Sequence, residues 1–433
     1  MTSPSSFPAG RTPFLITAIY VIAVTVGAFA GGLWALLGIG GALLVFAIIW
    51  LTKRQMPGFD RTLGLFVLLS LSVAALLNLQ SSNPAVSWRM LLQQATIMIP
   101  LFLWFSPDVV ENVYAPNFFS RVAFAAFLGA LALSIELSLG APLLHAVSLL
   151  HIIKGPSANL TEYNRGASYL AVMAMPLIGY LWIKRSYKEL IIVIVALFLL
   201  FSLSESRATK VAFLLGLAVA GASAFFPRFV KWLLVATTFA LPAFPFAVMK
   251  IYLFHHDWLN HLPPSWQHRV EIWDYMSYRV FDRPWLGWGM GTSRLLPFEQ
   301  PHGSTYLYVA SMAGHPHDVI LHLWVELGFP GVILGVIFAI LMLHKASCFP
   351  RKVVPFAFGA WSAALSISLV AYNFLDDSLF SLFALTALAL KVLAKENDDL
   401  QIYRAKKAVL EIENNAAQRP NAEIVGRLAA REP

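Results

Sequence analysis

Residues 313–332 read AGHPHDVILHLWVELGFPGV. His315 and His317 flank a proline, Asp318 follows, and an apolar run ends in Gly328-Phe329-Pro330-Gly331. Asp318 can cap a helix running from Val319 to Leu327, Gly328 can end it, and Pro330 can start the next. A helix of about nine residues is about 14 Å long and cannot cross a bilayer. The stretch therefore predicts a short helix at or dipping into the membrane interface, followed by a crossing helix. His317 would sit at the N-terminus of the short helix, which lowers its pKa and favours a neutral imidazole. A neutral imidazole can act as a general base, and His315 is its close neighbour and second candidate. Asp318, His322 and Glu326 recur every four residues, share one helix face and predict a polar stripe facing the protein.

The remainder of the chain supplies the membrane. Of its residues 58% are hydrophobic and 12% charged, against about one quarter charged in ordinary globular proteins. That composition excludes a soluble enzyme and predicts an all-α polytopic membrane protein. The single cysteine, Cys348, excludes a disulfide framework and a cysteine-based metal site. Residues 1–12 are too polar and too weakly basic for a cleavable signal, so the first apolar stretch is expected to be a retained span. About twelve spans are expected, near 13–30, 33–51, 62–79, 89–105, 122–142, 166–183, 190–203, 208–226, 233–250, 329–343, 353–372 and 379–395. Tilt accommodates the shorter ones. The organisation is then a bundle of nine spans over 1–250, a long loop with short helices over 251–328, three spans over 329–395 and a polar tail over 396–433.

Lys and Arg in short loops set the orientation. With the N-terminus inside, the inner loops hold twelve (Lys53, Arg54, Arg61, Arg121, Lys184, Arg185, Lys188, Arg228, Lys231, Lys345, Arg351, Lys352) and the outer ones five (Arg89, Lys154, Arg165, Arg207, Lys210). The tail is thus expected in the cytoplasm and the long loop outside. Outer basic residues, the long loop included, are mostly arginines, whose planar fork binds phosphate bidentately. The outer face reads as built for an anion, with snorkelling to lipid headgroups as the alternative.

Three stretches carry that reading. In SLSESRATK (202–210), Ser206 can cap an outward-pointing helix whose first turn holds Arg207 and Lys210. TEYNRGASYL (161–170) repeats the idea, with Asn164 as the cap and Arg165 at the mouth. In HRVEIWDYMSYRVFDRPWLGWGMGTS (268–293), Arg269 is the candidate in a helical stretch, and the Gly- and Trp-rich turn that follows reads mostly as packing. Glu136 stands out as the main mid-span charge.

These residues resemble the O-antigen ligase family, within the wider O-antigen ligase and polymerase superfamily. Its members share a His, then Asn, Ser or Gln, nine residues, Gly, two residues, and Gly, Thr or Tyr. Here the pattern is His317, Asp318, nine residues, Gly328, Phe329, Pro330, Gly331. Asp318 departs from the pattern, though amide, hydroxyl and carboxylate can all cap a helix. The family's essential arginines are matched by Arg207 and Arg269, and less closely by Arg165. The DRPWLGWGMGTS stretch also resembles the family's loop.

The resemblance implies a multi-span, GT-C-like inner-membrane glycosyltransferase with a large periplasmic loop and its active site on the periplasmic side. The implied donor is a polysaccharide on undecaprenyl diphosphate, and the implied acceptor is the lipid A–core oligosaccharide. The residues suit that chemistry. A diphosphate leaving group needs charge stabilisation, from Arg207, Arg269, Arg165 and Lys210, but no general acid. The acceptor hydroxyl needs a base, and His317 fits, with Asp318, Glu326 and Gly328 in support. Direct attack would invert the anomeric centre. Outside, only Asp376 and Asp377 approach an acidic cluster, so no metal, no cofactor and no nucleic-acid partner are expected. Three alternatives stay open: an O-antigen polymerase, a protein O-oligosaccharyltransferase, and a transporter of polyprenyl-linked glycan. A transporter would place its ionisable groups near the bilayer midplane.

Overall fold

A chain that must satisfy its own backbone N–H and C=O groups in lipid does so with helices or closed barrels. The computed structural model describes residues 11–54, 58, 60–106, 109, 118–149, 160–254, 259–297, 306, 316–372 and 374–429, and among these it contains helices and turns but no strand. The helices are α1 (Arg11–Thr25), α2 (Leu33–Lys53), α3 (Arg61–Asn78), α4 (Pro84–Phe102), α5 (Phe118–Ser138), α6 (Pro142–Leu149), α7 (Thr161–Lys184) and α8 (Tyr187–Leu203). They continue as α9 (Arg207–Phe225), α10 (Pro227–Ala240), α11 (Phe244–Phe254), α12 (Pro264–Asp282), α13 (Val319–Ser347), α14 (Val354–Val370) and α15 (Asp377–Ala429).

A helix stands at each of the twelve expected spans, and eight spans among the described residues are long and apolar enough to cross a membrane. The first expected span and the one near 353–372 are apolar but shorter, at Phe14–Ala28 and Val354–Val370. Helix α4 carries Arg89, Gln93 and Gln94, which dilute its apolar character. Helix α7 is the axis of the bundle. Its apolar window is 94% buried, against 22% for α3, so α7 is wrapped by protein while α3 shows most of its surface. Exposed side chains such as Leu65, Leu68 and Leu92, and Ile191 and Val195 on α8, are what a lipid solvent accepts and water does not.

Helices α9 and α14 cross most closely where two glycines meet. A Cβ on Gly359 would lie 2.7 Å from the Gly216 carbonyl, and one on Gly216 would lie 3.1 Å from the Gly359 carbonyl. Small residues let backbones approach in this way when apolar burial cannot drive helix association. One end of the bundle gathers the N-termini of α7, α9 and α15, linked by Ser204 to Asn164 and by Arg165 to Asp376. The other end is tied by Lys345 to Asp60, Lys391 to the Phe105 carbonyl and Arg404 to the Ile183 carbonyl.

Helix α13 is not continuous. Gly328 has φ 61° and ψ −157°, a region essentially reserved for glycine. The expected short helix Val319–Leu327 and the expected restart at Phe329 and Pro330 are both present. The short piece is buried along its length from Ile320 to Leu327, rather than lying open at an interface. The piece from Phe329 to Ser347 extends roughly 28 Å and can cross alone.

A Cβ on Gly328 would stand 2.7 Å from the backbone N of Gly287 and 2.7 Å from the carbonyl carbon of Trp285. Gly328→Ala should therefore cost at least about 1–3 kcal/mol in strain alone, with steric overlap added. At Gly40 the nearest atom to a Cβ is Leu36 Cδ1 at 3.8 Å, so Gly40→Ala should be neutral or stabilising by about 0.5–1 kcal/mol. Melting temperatures in detergent micelles test this: a marked drop for the first variant only is expected, and equal values would contradict the strained break.

Candidate active site

The break at Gly328 leaves the last carbonyls of the short helix without helical partners. The Gly- and Trp-rich turn supplies donors. Trp288 N donates to the Val325 carbonyl and Gly289 N to the Glu326 carbonyl, each at 2.8 Å, while Phe329 N donates back to the Pro284 carbonyl at 2.8 Å. Positive φ at Gly287, Gly289 and Gly291 lets the turn fold this tightly. The fully buried Glu326 carboxylate then captures the turn's far end. It accepts from Gly291 N (2.6 Å), Ser293 N (3.3 Å) and the Ser293 hydroxyl (2.7 Å), with His322 Nε2 2.8 Å away. Asn78 and Ser87, at the α3–α4 junction, hold Met290 from the other side. The predicted polar stripe thus faces the protein, and Glu326 fastens a loop.

Asp318 caps the short helix as expected, its Oδ1 accepting from Leu321 N at 2.6 Å. The residue is buried, and burial pushes its carboxyl up to about 7 despite backbone donors at Leu321 and Ile320. His317, just before it, has φ 54°, a left-handed conformation uncommon outside glycine. Burial first, and then the charge on Arg269, bring its imidazole down to about 4, with a hydrogen bond to the Ala371 backbone opposing the shift. The neutral imidazole was expected, but its cause is burial and a cation rather than the helix end. His315 lies outside the described residues.

The four basic candidates differ in what already holds them. Arg207 opens α9 behind the Ser206 cap, whose Oγ accepts from Thr209 N at 3.2 Å. It lines a cavity of about 440 Å³ whose other walls are apolar, among them Trp266 and Trp273. Arg269, on α12, donates Nη1 to the Ser265 carbonyl at 3.3 Å, while its Nε is buried with no hydrogen-bond partner among the described residues. Burial depresses its pKa, the signature of a cation lacking a counter-ion. Lys210 reaches back to the Ser202 carbonyl at 3.2 Å. Arg165 is paired with Glu162 at 3.4 Å and Asp376 at 3.7 Å. The Asn164 cap is not formed. Helix α7 starts earlier, at Thr161, and Asn164 Oδ1 accepts the Ser204 hydroxyl at 3.0 Å. Glu136 is also engaged, accepting from Tyr163 OH (3.0 Å) and Leu144 N (3.1 Å).

Trp273 joins the pieces. It shares the cavity wall with Arg207, and its Nε1 donates to the Pro316 carbonyl at 2.9 Å, beside His317. Arg207, Arg269 and His317 therefore occupy one neighbourhood. The turn after α14 joins it from behind: Ala371 bonds His317, Phe374 lies 4.8 Å from the His322 ring, and Asp376 pairs with Arg165. Sequence reasoning missed this turn and the linking role of Trp273. The acid pair Asp376-Asp377 was its only visible signal.

The Asp318 carboxyl titrates near 4 in the unfolded chain and at about 7 in the fold. Native stability should therefore be highest where the carboxyl stays protonated, fall as pH rises from about 4 to about 7, and level off above. Asp318→Asn keeps the cap and removes that titration. Its melting temperature should change less than wild type between pH 5 and 8, and parallel curves would contradict the buried, raised carboxyl.

Residues 190–336 match the family described as "O-Antigen ligase". Among curated proteins, a "Putative polysaccharide ligase" of Rickettsia conorii is 25% identical over 179 residues, 40% of this chain and 43% of the relative. A protein of the same name from Rickettsia bellii is 26% identical over 187 residues, 41% of this chain and 44% of the relative. The matches thus span less than half the length of these curated relatives. The resemblance read in the sequence is met at one segment of the site: residues 190–336, which match that family, include Arg207, Lys210, Arg269, His317, Asp318, Glu326 and Gly328.

Proposed function

We propose that the chain is a membrane glycosyltransferase that transfers polysaccharide from undecaprenyl diphosphate to a hydroxyl of the lipid A–core oligosaccharide. The reaction takes place on the periplasmic face of the bacterial inner membrane, the side the Lys and Arg bias assigns to His317. One observation carries this reading: a half-buried Arg269 with no carboxylate partner among the described residues, a cavity-lining Arg207 and a neutral His317 lie together around Trp273.

His317 takes the proton from the acceptor hydroxyl as its oxygen attacks the anomeric carbon of the donor. The bond from that carbon to the diphosphate oxygen breaks, and the diphosphate leaves with its charge held by Arg207 and Arg269. A single displacement inverts the anomeric centre. An imidazole at about 4 is neutral but weakly basic. A diphosphate placed against Arg269 offsets the cation that helps to lower it, so donor binding raises the basicity of His317 toward the range where general bases work best. Arg165, already paired with Asp376, steadies the turn that bonds His317 and contributes less to the anion, as does Lys210, which donates to the Ser202 carbonyl. His315 remains a candidate neighbour. Among the described residues no three His, Cys, Asp or Glu side chains are grouped to hold a metal, and the scheme needs none.

The test is transfer in vitro with purified protein, undecaprenyl-diphosphate glycan and lipid A–core, run with and without exhaustive chelation. Arg207→Gln and Arg269→Gln should each lower turnover by about 10²–10³-fold, the range for losing one charge-stabilising donor, and chelation should leave wild type active. Wild-type activity on a second lipid-linked glycan or on protein, with none on lipid A–core, would replace this reading with the polymerase or the protein transferase. Loss rescued by magnesium would overturn the metal-free scheme.

A further inference from the structure

A second cavity, of about 620 Å³, lies at the end of the bundle opposite the candidate active site. It is lined by Phe225, Phe226, Pro227, Arg228, Phe229 and Arg351. Its two walls are turns far apart in sequence, one between α9 and α10 and one between α13 and α14. Helix α9 carries Arg207 at its first residue and Phe225 at its last. The helix separates the two sites by roughly 28 Å, about the thickness of a bilayer's hydrocarbon core.

The charge here has one sign. Arg228 and Lys231 stand at the start of α10, Arg351 and Lys352 on the turn between α13 and α14, and no acidic residue occurs between Glu205 and Asp257 or between Glu326 and Asp376. Among the described residues neither Arg228 nor Arg351 has a carboxylate partner. Two guanidinium forks converging from separate turns present paired donors to a single anion. The surroundings are aromatic and uncovered: Phe225, Phe226, Phe229 and Trp232 are each at least 65% exposed. Exposed aromatic rings at the end of a crossing helix belong at headgroup level. The faces leading away from them, with Leu214, Leu215 and Leu233 exposed, suit acyl chains.

We infer that this cavity is a binding site for the headgroup of an anionic phospholipid, in the leaflet opposite the candidate active site. The phosphodiester lies between Arg228 and Arg351, and the acyl chains run along α9 and α10. A free phosphate would satisfy the arginines but leave the aromatic wall without a role, whereas a lipid uses both. Basic pockets between transmembrane helices bind lipid headgroups by the same combination. The site clamps the ends of α9 and α14, whose close crossing at Gly216 and Gly359 connects it to the helix that bears Arg207.

The full-length protein in a neutral detergent, titrated with dioleoyl phosphatidylglycerol and followed by native mass spectrometry, tests the assignment. Phosphatidylcholine serves as the neutral comparison. Wild type should bind phosphatidylglycerol at least tenfold more tightly than phosphatidylcholine, and Arg228→Gln/Arg351→Gln should abolish that preference. If the double variant does not fold, each single variant should lose about threefold or more, roughly half the double effect in free energy. Unchanged affinity in the arginine variants would overturn the proposal. So would loss of affinity in Arg207→Gln instead, which would put the lipid at the other end, or displacement by millimolar inorganic phosphate, which would make the ligand a free anion.

Discussion

A helix that stops inside a buried core must find donors for its final carbonyls, and the candidate active site depends on how this chain meets that demand. Gly328 turns the backbone out of the α-helical path. The turn from Pro284 to Ser293 answers with Trp288 N and Gly289 N, and Glu326 pins the far side of the same turn through Gly291 and Ser293. A carboxylate accepting several charge-assisted hydrogen bonds in a dry interior is worth far more than the same group in water. Removing any one partner strands the others, so the short helix, the glycine turn and the α3–α4 junction behave as one unit.

That unit fixes the other end of the short helix, where Asp318 caps and His317 turns back through a left-handed conformation. The direction of His317 is thus set by a buried helix rather than by a loose loop. Arg269 on α12 and the turn after α14 close around it, and Trp273 ties its backbone to the cavity that Arg207 lines. The basic candidates divide by what they already hold. Arg165 is ion-paired with Asp376, Lys210 and Arg269 each donate to a backbone carbonyl, and Arg269 Nε is buried without a hydrogen-bond partner among the described residues. A neutral imidazole and a guanidinium with no carboxylate partner among the described residues lie in one neighbourhood, and the proposed transfer rests on that pairing.

Much of this was legible because it is local. The cap at Asp318, the break at Gly328, the restart at Pro330 and the cap at Ser206 each depend on a few consecutive residues, and long apolar runs can hardly be read as anything but helices. What stayed hidden is non-local. Glu326 looks like a member of a polar stripe until Gly291 and Ser293 are brought to it from 35 and 33 residues away. Asn164 reads as a cap because its neighbours suggest one, yet α7 begins three residues earlier and the amide serves Ser204 instead. Arg165 meets Asp376 only through the packing of α7 against the start of α15. The cause of the neutral His317 was misread for the same reason: burial and Arg269 are tertiary facts. Of the about twelve expected spans, eight are long and apolar enough to cross a membrane among the described residues, and two more are apolar but shorter.

The central claim is that a buried, neutral His317 removes the acceptor's proton in a site whose arginines hold the donor. The most direct measurement is the pH dependence of glycan transfer by wild type and His317→Ala, with donor affinity followed in parallel. For wild type, kcat/KM should hold as pH falls from 7 to 5 and decline only toward about 4, the value of the imidazole in the free enzyme; kcat should decline at higher pH, because the bound diphosphate makes His317 more basic. His317→Ala should lose about 10²–10⁴-fold in turnover while binding donor normally. A variant that transfers glycan at the wild-type rate, or one that fails because it no longer binds donor, would contradict the account.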